Sequence, residues 1–318
     1  MRFNQHSWLF HRNRFIAWSS TLLFFAASAL TPNTVWKLVW FVPAIFLQFL
    51  IWRTFWTVHP RRVWIFNQKY VRKYVQYEVV NFESRDGVAL AGWYSPGTNR
   101  KAVILVHGLG ASKAALLEHA VPFKTAGFGI LMIDLRAHGE SGGDICNFGT
   151  MEALDVLGGI DYLIACPDVD HDKIGAVGIS IGAQAVLRAA VRTHTIRAII
   201  LDGLGPAILD DHGGRPTTLR RWINYPLNWF MYRLGDFMRN EVETVGVLDI
   251  IRRIAPRPLM LISTGTRAER YFNRLFFDRA ANPKKLWEIE SARHAAGLYF
   301  EPQEYPAKMI QFFDKALS

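Results

Sequence analysis

The segment Gly178-Ile179-Ser180-Ile181-Gly182 joins an apolar run, Ile174–Ile179, to a stretch of helical period, Ile181–Arg192. A strand that passes this abruptly into a helix has no room for a Cβ on either side of the apex. Glycine therefore flanks the turn, and the apical side chain is lifted above the sheet edge at a helix N-terminus. Such a turn needs a buried, mainly parallel sheet beneath it. From Val75 onward, short apolar runs bounded by Gly, Pro and Asp alternate with longer helical segments, which is the α/β pattern of a parallel sheet with helices on both faces. Val75–Glu83 and Val88–Tyr94 flank Arg85-Asp86-Gly87 and predict an antiparallel hairpin, because Asp-Gly favours tight turns. Further strands are predicted at Ala102–Val106, Phe128–Ile133, Ala198–Leu201, Leu259–Ile262 and Lys285–Ile289. Helices are predicted at Lys113–Thr125, Met151–Ala165, Arg270–Ala281 and Glu304–Leu317.

A serine hydroxyl is a poor nucleophile at neutral pH and needs a base within reach, itself oriented by a third group. That base is expected on a loop after the last strand. His294 stands there, in Ser291-Ala292-Arg293-His294-Ala295-Ala296-Gly297, whereas His6, His11 and His59 fall in or beside the apolar N-terminal region. His119, His171, His194 and His212 fall in predicted helices or polar loops. The acid is expected after Leu259–Ile262, in the chain order Ser, acid, His. Glu269 is the carboxylate within Ser263–Arg270; Asp278, on a predicted helix, and Asp202, at the end of the preceding strand, are the alternatives. Charge developing on a substrate carbonyl needs preorganised N–H donors. The backbone of Leu109, after the His107-Gly108 turn, and of Ile181 can supply two, with His107 read as support for that turn. This chemistry needs no cofactor or metal, and Cys146 and Cys166 are too few for a disulfide framework or a Cys-rich metal site.

From about Phe82 to the C-terminus the chain resembles the α/β-hydrolase family, in its esterase, lipase and serine-aminopeptidase-like branch. The resemblance rests on Asp86-Gly87 with Leu90 and Gly92-Trp93-Tyr94, on His107-Gly108, on the run from Asp134 to Gly142, on Gly178 to Gly182 and on His294. It implies a Ser180 nucleophile, a His294 base, an oxyanion hole at Leu109 and Ile181, and a cap. The sequence departs from the family at the acid, where the usual Gly-x-x-Asp is replaced by Gly265-Thr266-Arg267-Ala268-Glu269, one residue longer and ending in Glu. Arg136 and His138 are read as structural.

The formal charge of +10 invites a nucleic-acid reading, which its distribution removes. Residues 1–75 hold ten basic side chains and no acidic one, so the rest of the chain is balanced. A basic excess confined to a Trp- and Phe-rich segment fits an anionic membrane surface. Phe15–Leu30 and Leu38–Trp52 are apolar all round and, with flanking residues, approach the roughly 20 residues of a membrane span. We expect a transmembrane hairpin, with spans at about 15–31 and 35–52 and a turn at Thr31-Pro32-Asn33-Thr34. Arg2, Arg12 and Arg14 precede it and six basic residues lie in Arg53–Lys73, which places both flanks in the cytoplasm by the positive-inside rule. Residues 53–74 then form a basic juxtamembrane linker. Ala27-Ser28-Ala29 also has the form of a signal-peptidase site, and interfacial helices are a second alternative.

The expected domains are thus a membrane anchor at 1–52, the linker at 53–74 and a hydrolase domain at 75–318. Residues 204–257 exceed an ordinary connection and predict a cap insertion. Its aromatic residues, among them Trp222, Tyr225, Trp229 and Phe237, are candidates to line an acyl-sized cleft. The leading functional expectation is a membrane-anchored serine hydrolase acting on an acyl ester or thioester, lipid or lipidated substrates included, with no role for nucleic acid. A serine peptidase is the rival, with Asp210-Asp211 as the pair to hold a free α-amine. A catalytically silent binding module at the membrane is the third reading.

Overall fold

Ala102–Val106 is buried along its whole length, and so is Ile174–Ile179, as strands covered by helices on both faces must be. The computed structural model describes residues 5–30, 34–63, 76–213, 219–240 and 243–318. In chain order its helices and strands are α1 (Gln5–Leu30), α2 (Thr34–Val58), β1 (Glu78–Glu83), β2 (Ala89–Ser95), β3 (Ala102–Val106), α3 (Leu117–Thr125), β4 (Gly129–Ile133), α4 (Glu152–Ala165), β5 (Ile174–Ile179), α5 (Ile181–Ala190) and β6 (Ile196–Asp202). There follow α6 (Leu219–Met238), α7 (Val247–Ile250), β7 (Leu259–Thr264), α8 (Arg267–Arg279), β8 (Lys284–Ile289), α9 (Gly297–Phe300) and α10 (Glu304–Ala316). The turn at residues 31–33 and the linker from 64 to 75 lie outside the described residues.

The chain divides into two compact units. The larger unit, Arg62–Gly143, Asn147–Gly214 and Glu243–Ser318, holds one eight-stranded sheet in the order β1-β2-β4-β3-β5-β6-β7-β8. The expected hairpin is present, with Glu78 opposite Tyr94 and Glu83 opposite Ala89. Gly87 turns it at φ +83°, a conformation open to glycine. β2 also runs antiparallel to β4, and every later pairing is parallel. Alternate residues face opposite layers. Val103, Leu105, Val177 and Ile200 pack with Phe123 of α3 and with Met309 and Phe313 of α10. On the other face α4 comes close at Gly159, where an added Cβ would lie 2.6 Å from Ile104 Cδ1.

Buried charges tie the loops at the C-terminal edge of the sheet. Arg136 donates to Asp155 from its backbone N–H (2.8 Å), Nε (2.9 Å) and Nη2 (2.6 Å), and forks onto Asp86 in the hairpin turn (2.7 and 2.9 Å). Asp134 accepts from the Lys113 N–H (2.6 Å), Lys113 Nζ (2.5 Å) and the Glu140 N–H (2.9 Å). The run from Asp134 to Gly142 is therefore structural in its visible contacts.

The smaller unit is Met1–Arg61, Asp144–Cys146 and Arg215–Val242. Within it α6, the helix of the 204–257 insertion, groups with α1 and α2. Leu234 and Met238 pack with Leu9, Phe55 and Val58. An amphipathic helix buries its apolar side against the apolar surface it reaches, and here that surface is α2. Tyr225, Trp229 and Phe237, expected to line a cleft, are exposed in this structure. The helices also overrun the expected spans, α2 continuing through Val58 and stopping just before Pro60. Among the described residues one helix, α2, has a stretch long and apolar enough to cross a bilayer, Phe41–Val58.

Asp155 and Arg136 are both nearly inaccessible to solvent. Removing one partner leaves an uncompensated buried charge, which typically costs about 3–5 kcal/mol. Asp155→Ala is therefore expected to lower unfolding free energy by about that amount, read as a lower urea midpoint at unchanged slope. A loss below about 1 kcal/mol would show that Asp86 alone satisfies the guanidinium.

Candidate active site

Ser180 sits between β5 and α5 at φ +56°, ψ −112°. A non-glycine residue in such a region costs about 1–3 kcal/mol and persists only where its surroundings enforce it. They do so here by close packing. A Cβ at Gly178 would collide with the Gly182 carbonyl, and one at Gly182 with the Val106 carbonyl. The Ser180 N–H also donates to the Asp202 carbonyl on the neighbouring strand at 2.8 Å. The hydroxyl is thereby held at the C-terminal edge of the sheet, half-buried.

The loop after β8 brings His294 to this serine, with Nε2 3.0 Å from Ser180 Oγ. Nδ1 of the same ring lies 2.5 Å from Glu269 Oε2. An ionised carboxylate can only accept, so Nδ1 carries the proton and Nε2 is left to accept from the serine hydroxyl. The second oxygen, Glu269 Oε1, accepts from the Thr264 N–H and the Thr264 hydroxyl, each at 2.7 Å. The loops bearing acid and imidazole are joined by the Gly265 N–H, which donates to the Ala292 carbonyl at 2.7 Å. Gly203 adopts φ +65°, and a Cβ there would lie 2.9 Å from His294 Cε1, so glycine leaves the space that the ring fills.

Each ionisable partner shifts the other. The bond to Glu269 raises the His294 pKa above its ordinary value, against the opposing effect of burial. For Glu269 burial acts upward, but the bonds from His294 and Thr264 together outweigh it and hold the carboxyl below its ordinary range.

Glu269 was expected in a loop and stands instead in the first turn of α8. The Thr266 hydroxyl caps that helix by accepting from the Glu269 N–H. Thr266-Arg267-Ala268-Glu269 has the spacing of a capping box, the sequence signal that would have started this helix earlier. In that pattern the Glu side chain turns back to the cap; here it turns to His294. Thr264, which saturates the acid, carried no such signal. Of the alternative acids, Asp202 is fully buried and accepts from Tyr305 Oη at 2.6 Å, with burial raising its pKa to about 7. Asp278 is exposed on α8. Neither is hydrogen-bonded to His294.

The two expected carbonyl-polarising donors fall beside the serine. Ile181 is the first residue of α5, and its N–H is one of those that a helix leaves without an internal acceptor. The turn carrying the Leu109 N–H is pressed against the same place, since a Cβ at Gly108 would lie 3.4 Å from Ser180 Cβ. His107 holds this turn. Its Nδ1–H donates to the Gly108 carbonyl (2.8 Å) and its Nε2 accepts from the Leu135 N–H (3.1 Å). Burial lowers its pKa to about 4, so the ring stays neutral in that role.

A model of the Alpha/beta hydrolase family matches residues 103–308. The chain is similar to the polyketide transferase af380 of Aspergillus fumigatus, at 35% identity over 127 residues, which are 39% of this chain and 44% of that protein. It is also similar to the thiohydrolase aneE of Aspergillus aculeatus, at 29% over 130 residues, 39% of this chain and 40% of that protein. The matches thus span less than half the length of these relatives. Among solved structures, the Pyrococcus furiosus esterase Pf2001 superposes with a TM-score of 0.65 at 25% identity, covering 81% of this chain and all of that one.

If the carboxylate is what holds the His294 proton, Glu269→Gln must lower the pKa of that imidazole, because the amide keeps the geometry and loses the charge. Titration of the ring by NMR reads this directly. An unchanged or higher value would assign the upward shift to another group.

Proposed function

The chain belongs to the alpha/beta hydrolase family, and from that premise we propose that it is a serine hydrolase cleaving an acyl ester or thioester through an acyl-enzyme on Ser180. The observation that carries this reading is the continuous hydrogen-bonded chain from Ser180 through His294 to Glu269, on a strained turn that presents the hydroxyl. His294 Nε2 takes the serine proton as Oγ attacks the substrate carbonyl. Glu269 stabilises the imidazolium that results, and the N–H groups of Leu109 and Ile181 receive the developing oxyanion. The proton then passes from Nε2 to the departing alcohol or thiol, and a water activated by the same nitrogen releases the acid. An esterase structural neighbour and relatives named for thiohydrolase and polyketide transfer are consistent with acyl chemistry of this kind.

The peptidase reading has less support. The Asp211 carboxylate is engaged by the N–H groups of Ala207 (2.8 Å), Ile208 (3.2 Å) and Leu248 (3.0 Å) and closes its own loop, so it is not free for an α-amine.

The membrane belongs to the same proposal. α1 and α2 form a hairpin embedded in the bilayer, with the basic flanks and the hydrolase domain on the cytoplasmic side. A reporter fused after Ser318 should be active if it folds in the cytoplasm, whereas activity of one that works only after export would reverse the orientation.

Ser180→Ala should abolish labelling by a fluorophosphonate probe and lower ester turnover by about a millionfold. Turnover in the variant above one-hundredth of wild type would remove Ser180 as the nucleophile, whereas wild-type protein that takes no label and hydrolyses no ester or thioester would leave a silent binding module.

Turnover needs neutral His294, which the elevated pKa makes scarce on the acid side. kcat/KM should therefore rise with pH through a limb lying above the ordinary histidine value of about 6.5. In Glu269→Gln that limb should move to lower pH while kcat falls by about four orders of magnitude. If Asp202→Asn moves the limb and Glu269→Gln does not, the acid is Asp202.

A further inference from the structure

The two sides of α6 differ in chemistry. One is bound inside its own unit, with Met231 Sδ 3.8 Å from Thr54 Oγ1 and Met238 fully buried beside Phe55 and Val58. At its C-terminal end, the Phe237 carbonyl accepts from Arg12 Nη2 (2.7 Å) and the Met238 carbonyl from Asn13 Nδ2 (2.7 Å). Carbonyls of a last helical turn lack internal donors, and a cation there meets the negative end of the helix dipole. The helix is thus fixed to α1 and α2 by packing and by its C-terminal cap.

The other side is largely exposed, with the Arg12 guanidinium over the Phe237 ring at 4.8 Å. Tyr225, Trp229 and Phe237 are 38%, 52% and 45% exposed, and Arg233 is exposed between them. Residues four apart lie nearly above one another on a helix, so these four form one slowly drifting strip. Aromatic side chains with a cation among them suit a membrane–water interface, where the rings sit at headgroup level. The place to which α6 is fixed has the same composition. It lies along the last turns of α2, where Trp52 and Trp56 stack at 6.2 Å and the Arg61 guanidinium covers the Trp56 ring at 4.8 Å. The apolar surface then continues onto the exposed Phe41, Ile45 and Phe49 of α2 and Phe15, Trp18 and Leu22 of α1. Asp236, the acid of α6, is paired with Arg239 at 2.5 Å, and Arg14, Arg53 and Arg61 are exposed nearby in the same unit.

We propose that α6 is an interfacial membrane helix, seating the strip from Tyr225 to Phe237 among the headgroups and upper acyl chains of an anionic leaflet beside the α1–α2 pair. The inference rests on the reading of that pair as membrane-embedded. Lipid is the occupant that fits, because the strip is continuous with helix faces of spanning length and is flanked by cations with no acidic excess.

The test uses the full chain reconstituted in vesicles of phosphatidylcholine with phosphatidylglycerol, labelled at one introduced cysteine with an environment-sensitive fluorophore. The native Cys146 and Cys166 are buried. Trp229→Cys reports on α6, Phe46→Cys on the middle of α2 and His171→Cys on an exposed turn of the larger unit. The label at 229 is expected to be quenched several-fold more by a lipid carrying a spin label near its headgroup than by aqueous iodide. The label at 171 should respond to iodide alone and that at 46 to a deep lipid quencher. If 46 stays in lipid while 229 responds to iodide as 171 does, α6 lies in water and the inference fails while the anchor reading stands. A label at 229 shielded from both quenchers would place a protein surface or a second copy on the strip and equally overturn it. If 46 itself meets iodide, the anchor reading fails first. Tyr225→Cys repeats the measurement should Trp229 be needed for folding.

Discussion

The close approach of α5 to β3 and β5 is the constraint on which the site depends. Gly178 and Gly182 allow the helix to begin directly over the strand ends, and neither tolerates a Cβ. The backbone conformation of Ser180 is a consequence of that approach. It is held on its other side by the Asp202 carbonyl, so β6 must be in register before the serine is positioned. The remaining groups are also delivered by register. β7 and β8 pair from Leu259 opposite Lys284 to Thr264 opposite Ile289, which ends them level and sets the acid loop and the imidazole loop side by side. Three residues far apart in sequence thus meet within hydrogen-bonding distance because parallel strands end on one edge.

The polar groups near that edge divide by how fully they are satisfied. Asp134, Asp155 and Glu152 are buried and accept from several fixed donors, as in the Glu152 bonds to the N–H groups of Asn147 (2.6 Å) and Gly149 (2.7 Å). Groups so saturated have no capacity left for a reacting molecule and serve to fix loops. His294 differs, being half exposed, with one nitrogen held by a carboxylate and the other facing only a hydroxyl. His107, beside Gly108, is buried and engaged at both nitrogens. Two loop histidines therefore differ in what they can do through burial.

Much of the sheet was legible because buried strands and amphipathic helices write different periods into sequence. The apolar run Ile174–Ile179 is a strand over those same residues, with Ser180 at its end. What escaped was set by contacts between distant segments. The start of α8 depends on a side-chain cap at Thr266, so apolar periodicity alone begins the helix three residues late and puts Glu269 in a loop. The partner of α6 is not legible in sequence for a different reason. Its apolar residues announce a buried side without saying what buries it, and residues 9, 55 and 58 lie too far off in the chain to be read as its neighbours.

The proposed hairpin raises a physical difficulty that the helix contacts resolve. α1 alone is not apolar enough to cross a bilayer by the measure that α2 meets, and Gln48 places an amide inside the apolar stretch of α2. A polar side chain in hydrocarbon must find its partner within the protein. Gln48 Nε2 donates to Thr21 Oγ1 at 2.6 Å and toward the Ala17 carbonyl at 3.3 Å, and Trp52 Nε1 donates to the same Thr21 oxygen at 3.3 Å. Thr21 in turn donates to the Ala17 carbonyl at 2.8 Å. The polar atoms of the two helices thus face one another, and the outward faces keep the apolar side chains. The polar groups of α1 and α2 that hydrocarbon would leave unpaired are satisfied between the two helices, which lowers the cost of placing the pair in lipid. On the proposed reading, such a pair would hold the chain where acyl chains are concentrated.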